Sequence, residues 1–502
     1  MNMLLNSMKQ ASNFTHTENG AITHKTTESA LLDMFAMGGA MRERSVGDVT
    51  LMFKKAYEEN PKYALKCLFY LRDVRGGQGE RRFFRECMKW LAKNDVAAAR
   101  RNLQYVAEFG RWDDLYSFVG TSLEKDAFKI LKNQFILDLN CKTPSLLAKW
   151  LKSENATSEE SRKLGELTCR YFGYHPKQYR KHLSNLRERI RVLERLMSQN
   201  RWEEIEFDKI PSKAGLKYKN AFARRDIIKA KYEKFAKDEN TKVNAGTLYP
   251  YEVVEKAINL MGSNQWYSRG KNVALDNTDR LMINKYWDNL TDYFNGSKLN
   301  ALCMVDTSGS MSGTPINVAT SLGLYCAEKA GGPFANHYIS FSSRPQLIEC
   351  EGVDFCDKVD RIVRTNLCEN TNIEAAFDML LNTAMRNRLS QDELPDTIIV
   401  ISDMEFDSAT WQYRSRSGRG TEGAETLMEG IARKWRANGY EVPHLIYWNV
   451  NARQNNIPML GVGRVSFVSG FSPSIFQSIV TGKTGFDLMM ETLDKKRYEV
   501  IQ

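Results

Sequence analysis

Residues 301–313 read ALCMVDTSGSMSG, and this segment decides how the second half of the chain is interpreted. The apolar run Leu299–Val305 predicts a buried strand that delivers Asp306 at its end. Hydroxyl side chains follow at alternate positions, Ser308 and Ser310. A sharp turn there would gather one carboxylate and two hydroxyls, and such hard oxygen ligands suit Mg²⁺ or Mn²⁺. Taken alone, the pattern also fits an ordinary serine-rich turn.

Short apolar runs alternate with amphipathic segments throughout this second half. The runs predict strands at Leu299–Val305, Phe334–Phe341, Thr397–Ile401 and Leu445–Val450, with a weaker candidate at Val465–Val468. The segments between them predict helices at Ile316–Lys329, Asn372–Arg386, Thr421–Ala437 and Ser472–Ile479. Strands separated by helices indicate a largely parallel, doubly wound α/β sheet, with any ligand site at the carboxyl ends of the strands.

Two further residues strengthen the metal-site interpretation. Thr371 stands at the start of the predicted helix NIEAAFDMLL, where its hydroxyl is either a metal ligand or a helix N-cap. Asp403 follows the apolar run TIIVIS and should reach the same sheet edge as Asp306. The alternative for Asp403 is an ordinary aspartate in a strand-end turn.

The first half has a different pattern. From about Thr27 to about Tyr293, apolar residues recur mostly at helical spacing, as in Leu31, Leu32 and Phe35. Breaks near prolines and glycines divide this region into helical stretches, the layout of stacked helical pairs. We therefore predict an α plus α/β protein with an N-terminal extension at 1–26, a helical-repeat domain at 27–296 that could close into a ring, and a sheet domain at 297–502.

Charge is divided unevenly between the halves. The 502-residue chain has 71 Lys and Arg against 61 Asp and Glu, a net charge of +10. Residues 1–300 carry roughly +15 and the remainder roughly −5. Residues 161–240 hold about 21 basic and 11 acidic residues, so this segment could face a polyanion.

The basic segments also contain aromatic residues, namely Tyr171, Phe172, Tyr174 and Tyr179. Cations neutralise phosphates and exposed aromatic rings stack on unpaired bases, so the combination suits single-stranded RNA. The alternative is a solvated helical surface with its aromatic residues in the core. The candidate RNA-binding residues are Arg72, Arg75, Arg81, Arg170, Lys177, Arg180, Lys181, Arg187, Arg191, Lys213, Lys217, Lys219, Arg224 and Arg225.

The metal-site residues resemble the metal-ion-dependent adhesion site of von Willebrand factor A domains. Asp306, Ser308 and Ser310 match its first loop, Thr371 its second and Asp403 its third. In that family the site binds Mg²⁺ or Mn²⁺ and leaves one coordination position for a carboxylate, so the resemblance implies binding rather than catalysis. A carboxylate of the same chain could also occupy that position.

Other motifs resemble a little-studied family that pairs a helical region with a von Willebrand A domain and is similar to the Ro (TROVE) ribonucleoproteins. These motifs are RDVRGGQGER at 72–81, WEEI at 202–205, IPSKA at 210–214, Tyr218, AFARRD at 221–226 and SDMEFD at 402–407. Ro proteins form a ring of helical repeats closed by the A domain, and they bind small noncoding RNAs and the ends of misfolded RNAs. The resemblance implies an RNA-binding scaffold whose A domain engages a protein partner through its metal.

The remaining sequence features narrow the function classes. Nine scattered cysteines without a CxxC pair favour free thiols, and with no long apolar segment they predict a cytoplasmic protein. Neither an HExxH nor a GxSxG motif occurs, so we predict that the protein is not an enzyme. The alternative to the RNA scaffold is a metal-dependent protein–protein adaptor, or a viral or assembly accessory protein, without RNA binding.

Overall fold

The computed structural model describes residues 12–261, 276–294, 296, 299–341, 343–365, 370–408, 425–460, 464–479 and 484–502. The chain forms two compact units. The first comprises residues 1–67 and 248–496, and the second comprises residues 68–247 and 497–502. None of the described helices is long and apolar enough to cross a membrane. Eight cysteines in these ranges are free thiols, whereas Cys368 lies outside the described residues.

A six-stranded sheet is the centre of the first unit. Its strands are β3 (Ala301–Asp306), β4 (His337–Phe341), β5 (Gln346–Glu349), β6 (Thr397–Ser402), β7 (His444–Asn449) and β8 (Val465–Ser469). A separate two-stranded hairpin near the N-terminus consists of β1 (Phe14–His16) and β2 (Ile22–His24). The sheet order is β5-β4-β3-β6-β7-β8, and only β5 is antiparallel to its neighbour. Every residue of β3, β6, β7 and β8 is buried, which explains the long apolar runs within β3, β6 and β7.

Helices accompany this sheet in the first unit, and the alternating sequence pattern predicts those near residues 316–329, 372–386, 421–437 and 472–479. Those of the first unit lie at Ala30–Met37, Val46–Glu59, Pro250–Leu260, Asn277–Asp288, Thr314–Lys329, Phe355–Thr365, Ile373–Asn387, Leu427–Ala437, Phe476–Ile479 and Gly485–Leu493. Helix Ala30–Met37 and the turn after it pack on β8, where a Cβ on Gly39 would stand 2.6 Å from the Ser469 carbonyl oxygen. Only glycine allows this close approach. The predicted α/β fold is confirmed.

The second unit is helical. Its helices are Arg82–Asn94, Val96–Asn102, Val106–Phe109, Glu124–Asn140, Leu147–Trp150, Glu159–Phe172, Pro176–Arg189, Leu193–Ser198, Ser212–Arg224 and Asp226–Lys237, and helix Pro61–Arg72 crosses the boundary between the units. The core of the second unit contains an aromatic cluster. In this cluster the ring centroid of Phe69 lies 5.2 Å from that of Phe84 and 5.3 Å from that of Phe109. Residues 68–247 are described throughout and contain no strand, which confirms the helical prediction for this region.

Candidate metal centre and nucleic-acid interface

Two buried aspartates meet at the carboxyl edge of the sheet. Strands β3 and β6 are parallel neighbours, with Val305 paired to Ile401, so the chain delivers Asp306 and Asp403 side by side. Their exposed fractions are 0% and 1%. Two carboxylates removed from water at one place are costly unless a positive charge lies between them.

The hydroxyls of the first loop gather around these carboxylates. The Ser308 backbone N–H donates to Asp306 Oδ1 at 2.9 Å, and the hydroxyls of Ser308 and Ser310 lie 3.0 Å apart. The Ser310 side chain is also hydrogen-bonded to Asp403. A 3₁₀ turn at Gly309–Met311 reverses the chain and makes this convergence possible. Four of the five predicted metal ligands therefore form one cluster.

Thr371 lies beside the loop that carries Asp403. The N-cap of helix Ile373–Asn387 is Asn372, whose side chain accepts from the Ala375 N–H at 3.0 Å, so Thr371 is not the cap. The Asp407 N–H donates to the Thr371 carbonyl at 3.0 Å. This bond ties the predicted second-loop ligand to the segment that follows Asp403.

The electrostatics of the cluster are those of a site that can hold a cation. Burial and the neighbouring Asp403 raise the pKa of Asp306 to about 7. Burial also raises the pKa of Asp403, and Asp403 Oδ2 is buried without a hydrogen-bond donor among the described residues. Two carboxylates with serine and threonine hydroxyls are an oxygen donor set suited to Mg²⁺ or Mn²⁺. The described residues contain no cluster of three His, Cys, Asp or Glu side chains that could hold a metal by themselves.

Several residues at this edge were not predicted from the sequence. The Ser402 hydroxyl donates to Asp306 Oδ2, and Arg453 Nη2 lies 3.3 Å from Asp403 Oδ2. Glu405 is fully buried two residues after Asp403. Its carboxylate accepts from Asn456 Nδ2 at 2.8 Å and from the Glu18 N–H at 2.7 Å. The only sequence signal for Glu405 was its alternation with Asp403, which does not reveal a partner distant in sequence.

Most of the candidate RNA-binding residues are on the surface of the second unit. The exposed ones are Arg75, Arg81, Arg170, Lys177, Arg180, Lys181, Arg191, Lys213, Lys217, Arg224 and Arg225. Lys177 and Lys181 are one helical turn apart on helix Pro176–Arg189 and therefore share a face. This face is the clearest cationic feature of the segment.

Arg72 does not belong to this surface. Its exposed fraction is 1%, and both Nε (2.8 Å) and Nη2 (2.7 Å) donate to Asp114 Oδ2. The same carboxylate group accepts from Arg85 Nε at 2.7 Å. Because a buried guanidinium must be paired, Arg72 has a structural role rather than the predicted contact with RNA.

Arg187 is half-buried and Lys219 is buried. Arg187 donates to the carbonyls of Ala148 and Leu151, each at 2.9 Å, and to the Ser153 hydroxyl at 3.2 Å. Burial lowers the pKa of Arg187. Lys219 lies inside the unit, so the prediction that it contacts RNA is wrong. The half-buried guanidinium of Arg187 is held by acceptors of the preceding segment.

The aromatic residues of the segment pack within the unit. Phe172 and Tyr179 are core residues, and the Tyr179 hydroxyl donates to the Lys152 carbonyl at 2.8 Å. The Tyr171 ring stacks on Phe128 with centroids 4.3 Å apart. Base stacking by Phe172 and Tyr179 would require them to leave the core, so these two rings do not form an RNA surface.

Comparisons with known proteins assign the chain to a family without assigning a function. The domain of unknown function DUF2828 matches residues 17–168 and 143–297, and the domain of unknown function DUF7788 matches residues 300–500. A relative described as uncharacterized protein L728 of Acanthamoeba polyphaga mimivirus is 28% identical over 94% of this chain and 85% of its own length. The predicted membership of a little-studied family is confirmed.

A solved structure also resembles the chain over most of its length. The crystal structure of Deinococcus radiodurans Ro (RSR) protein matches 93% of this chain and 99% of its own, with 13% identity and a TM-score of 0.49.

Proposed function

Because the chain belongs to the DUF2828 family, whose description assigns no activity, we propose from its own residues that it is a non-catalytic, Mg²⁺-binding scaffold for RNA. The helical unit binds single-stranded or structured small RNA through its exposed cations. The sheet unit binds Mg²⁺ or Mn²⁺ through Asp306, Ser308, Ser310, Thr371 and Asp403. When bound, the metal supplies a positive charge that a partner's carboxylate can meet.

The observation that carries the RNA proposal is the set of exposed cations on helices Glu159–Phe172 and Pro176–Arg189. Arg170, Lys177 and Lys181 are exposed and take part in none of the ion pairs among the described residues. Surface cations of this kind neutralise phosphates and release condensed counterions, which favours binding of any accessible single strand. The basic excess of residues 161–240 supports the same conclusion.

A first test of this proposal is whether the full chain retains nucleic acid through purification. We expect a raised ratio of absorbance at 260 nm to that at 280 nm, which falls after nuclease treatment or a high-salt wash. Material that is free of nucleic acid before any such treatment, and that fails to shift added RNA at low salt, would contradict the proposal.

We predict that the double substitution Lys177→Ala with Lys181→Ala weakens binding of single-stranded RNA and reduces its salt dependence. If both side chains meet phosphates, the slope of log K against log salt should fall in magnitude by about 1.4, since each contact on a single strand contributes about 0.7. Fluorescence anisotropy of a labelled RNA at several salt concentrations measures both quantities.

The matched control is Lys54→Ala with Lys62→Ala, which removes the same charge from exposed positions of the first unit. This variant should bind RNA as the parent does. An equal loss of affinity in the two double variants would mean that net charge alone, and not the face of helix Pro176–Arg189, sets the affinity.

The second candidate function is a metal-dependent protein–protein adaptor without RNA binding. It is favoured by the ion pairs of Arg180 with Glu154 and of Arg191 with Glu206, because they partly neutralise the basic segment. The adaptor would keep the metal response of the sheet unit and show no affinity for RNA at any salt concentration.

A further inference from the structure

The β1–β2 hairpin places its turn against the candidate metal centre within the first unit. The Thr17 hydroxyl donates to the Phe406 carbonyl at 2.6 Å, and Asn19 Nδ2 donates to the Glu405 carbonyl at 2.6 Å. Asn19 Nδ2 also lies 3.5 Å from the Thr371 hydroxyl. The turn therefore contacts the loop that carries Asp403 and one of the predicted ligands.

One guanidinium joins this turn to the metal site. Arg453 Nη1 lies 2.8 Å from Glu18 Oε2, and Arg453 Nη2 lies 3.3 Å from Asp403 Oδ2. Because both nitrogens belong to one planar group, the Glu18 carboxylate is held beside the carboxylate of a predicted ligand. Arg453 provides a positive charge at the place where the proposed metal would provide one.

From this arrangement, and resting on the proposed metal binding, we infer that Glu18 is the chain's own carboxylate ligand to the bound cation. The hairpin then acts as a built-in cap on the site. Arg453 and a divalent cation compete for Asp403 because like charges repel. When Arg453 withdraws, Glu18 loses its ion pair, and a hard cation within its reach is the preferred replacement.

The backbone of the turn keeps Glu18 in place during this exchange. Its N–H donates to the buried Glu405 carboxylate at 2.7 Å, and this bond does not involve Arg453. An antiparallel bridge between Gly20 and Asp407 holds the other side of the turn. Only the Glu18 and Arg453 side chains, which are partly exposed, need to move.

The local charge is consistent with this role. Asp306, Asp403, Glu405 and Glu18 bring four carboxyl groups to the site, whereas Arg453 brings one guanidinium. The single positive charge of Arg453 does not balance four carboxyl groups, whereas a divalent cation would bring the site closer to charge balance. The functional consequence is that a partner's carboxylate reaches the metal only after the hairpin moves away.

The test is calorimetric titration of Mn²⁺ into the full chain, compared with the variants Glu18→Gln and Arg453→Gln. We expect Glu18→Gln to weaken Mn²⁺ binding at least tenfold because a charged ligand is lost, and Arg453→Gln to tighten it because a competing cation is lost. Glu28→Gln is the matched control, since Glu28 is an exposed glutamate of the same N-terminal segment. The Glu28→Gln variant should bind Mn²⁺ with the same affinity as the parent.

Hydrogen exchange gives a second, independent measurement. Mn²⁺ should slow amide exchange in residues 14–24 of the parent but not of Glu18→Gln, because the Glu18 carboxylate is the hairpin group inferred to bind the cation directly. Unchanged affinity in Glu18→Gln, or unchanged or weaker affinity in Arg453→Gln, would overturn the cap while leaving the metal site intact. A parent that binds no Mn²⁺ would overturn the metal site and the cap together.

Discussion

Replacing Asp306 by asparagine is expected to abolish stabilisation of the protein by Mg²⁺ or Mn²⁺ while leaving the fold intact. The amide keeps the shape of the side chain and can still accept the Ser308 N–H at Oδ1, but it removes a buried charge that the cation needs. A ligand present at a hundred times its Kd stabilises the native state by about 2.7 kcal/mol, and this stabilisation should vanish in Asp306→Asn. Urea unfolding with and without the metal measures the difference in the free energy of unfolding.

The control for this variant is Asp396→Asn. Asp396 is an exposed aspartate just before β6, at the opposite end of the strand from Asp403, so it cannot share the proposed metal. It should respond to Mg²⁺ as the parent does. Equal stabilisation by metal in the parent and in Asp306→Asn would show that the cation binds somewhere else.

The second large effect is expected from Arg72→Ala, which should destabilise the helical unit by about 3–5 kcal/mol. The substitution removes two hydrogen bonds from the buried Asp114 carboxylate and one of its two guanidinium partners, leaving Arg85 as the other. Denaturant unfolding measures the free energy, and RNA affinity per folded molecule should stay unchanged because Arg72 is inside.

Arg75→Ala is the matched comparison because Arg75 lies three residues after Arg72, in the turn that follows helix Pro61–Arg72, and is exposed. Its side chain donates to the Glu108 carbonyl at 2.8 Å, and losing one exposed bond should cost less than about 1 kcal/mol. If Arg72→Ala kept full stability and lost RNA affinity instead, the prediction from the sequence that Arg72 contacts RNA would be correct.

The sequence predicted the α/β half well because its strands are continuous apolar runs. β3 and β6 were found within two residues of their observed ends, and their parallel pairing brings Asp306 and Asp403 together as expected. β5 was missed because this edge strand has only four residues and exposes Leu347. A short, half-exposed edge strand carries no apolar run for the pattern to detect.

The rest of the site depends on contacts between residues far apart in sequence. Each strand of the β1–β2 hairpin has three residues, and bonds such as that from Thr17 to Phe406 hold it in place. No local pattern around Arg453 indicates that it reaches Glu18 and Asp403. Arg72, in contrast, was predicted for a surface where it does not lie. The sequence alone does not distinguish a buried, paired arginine from an exposed one.

The RNA-scaffold proposal is tested most directly by the affinity of the full chain for single-stranded RNA as a function of salt. Anisotropy of a labelled strand of about 20 nucleotides, titrated at about 50 to 300 mM salt, gives both the affinity and its slope. We expect saturable binding at low salt that weakens steadily as salt rises. A folded, metal-responsive protein that leaves the RNA unbound even at the lowest salt concentration would contradict the proposal and favour the adaptor.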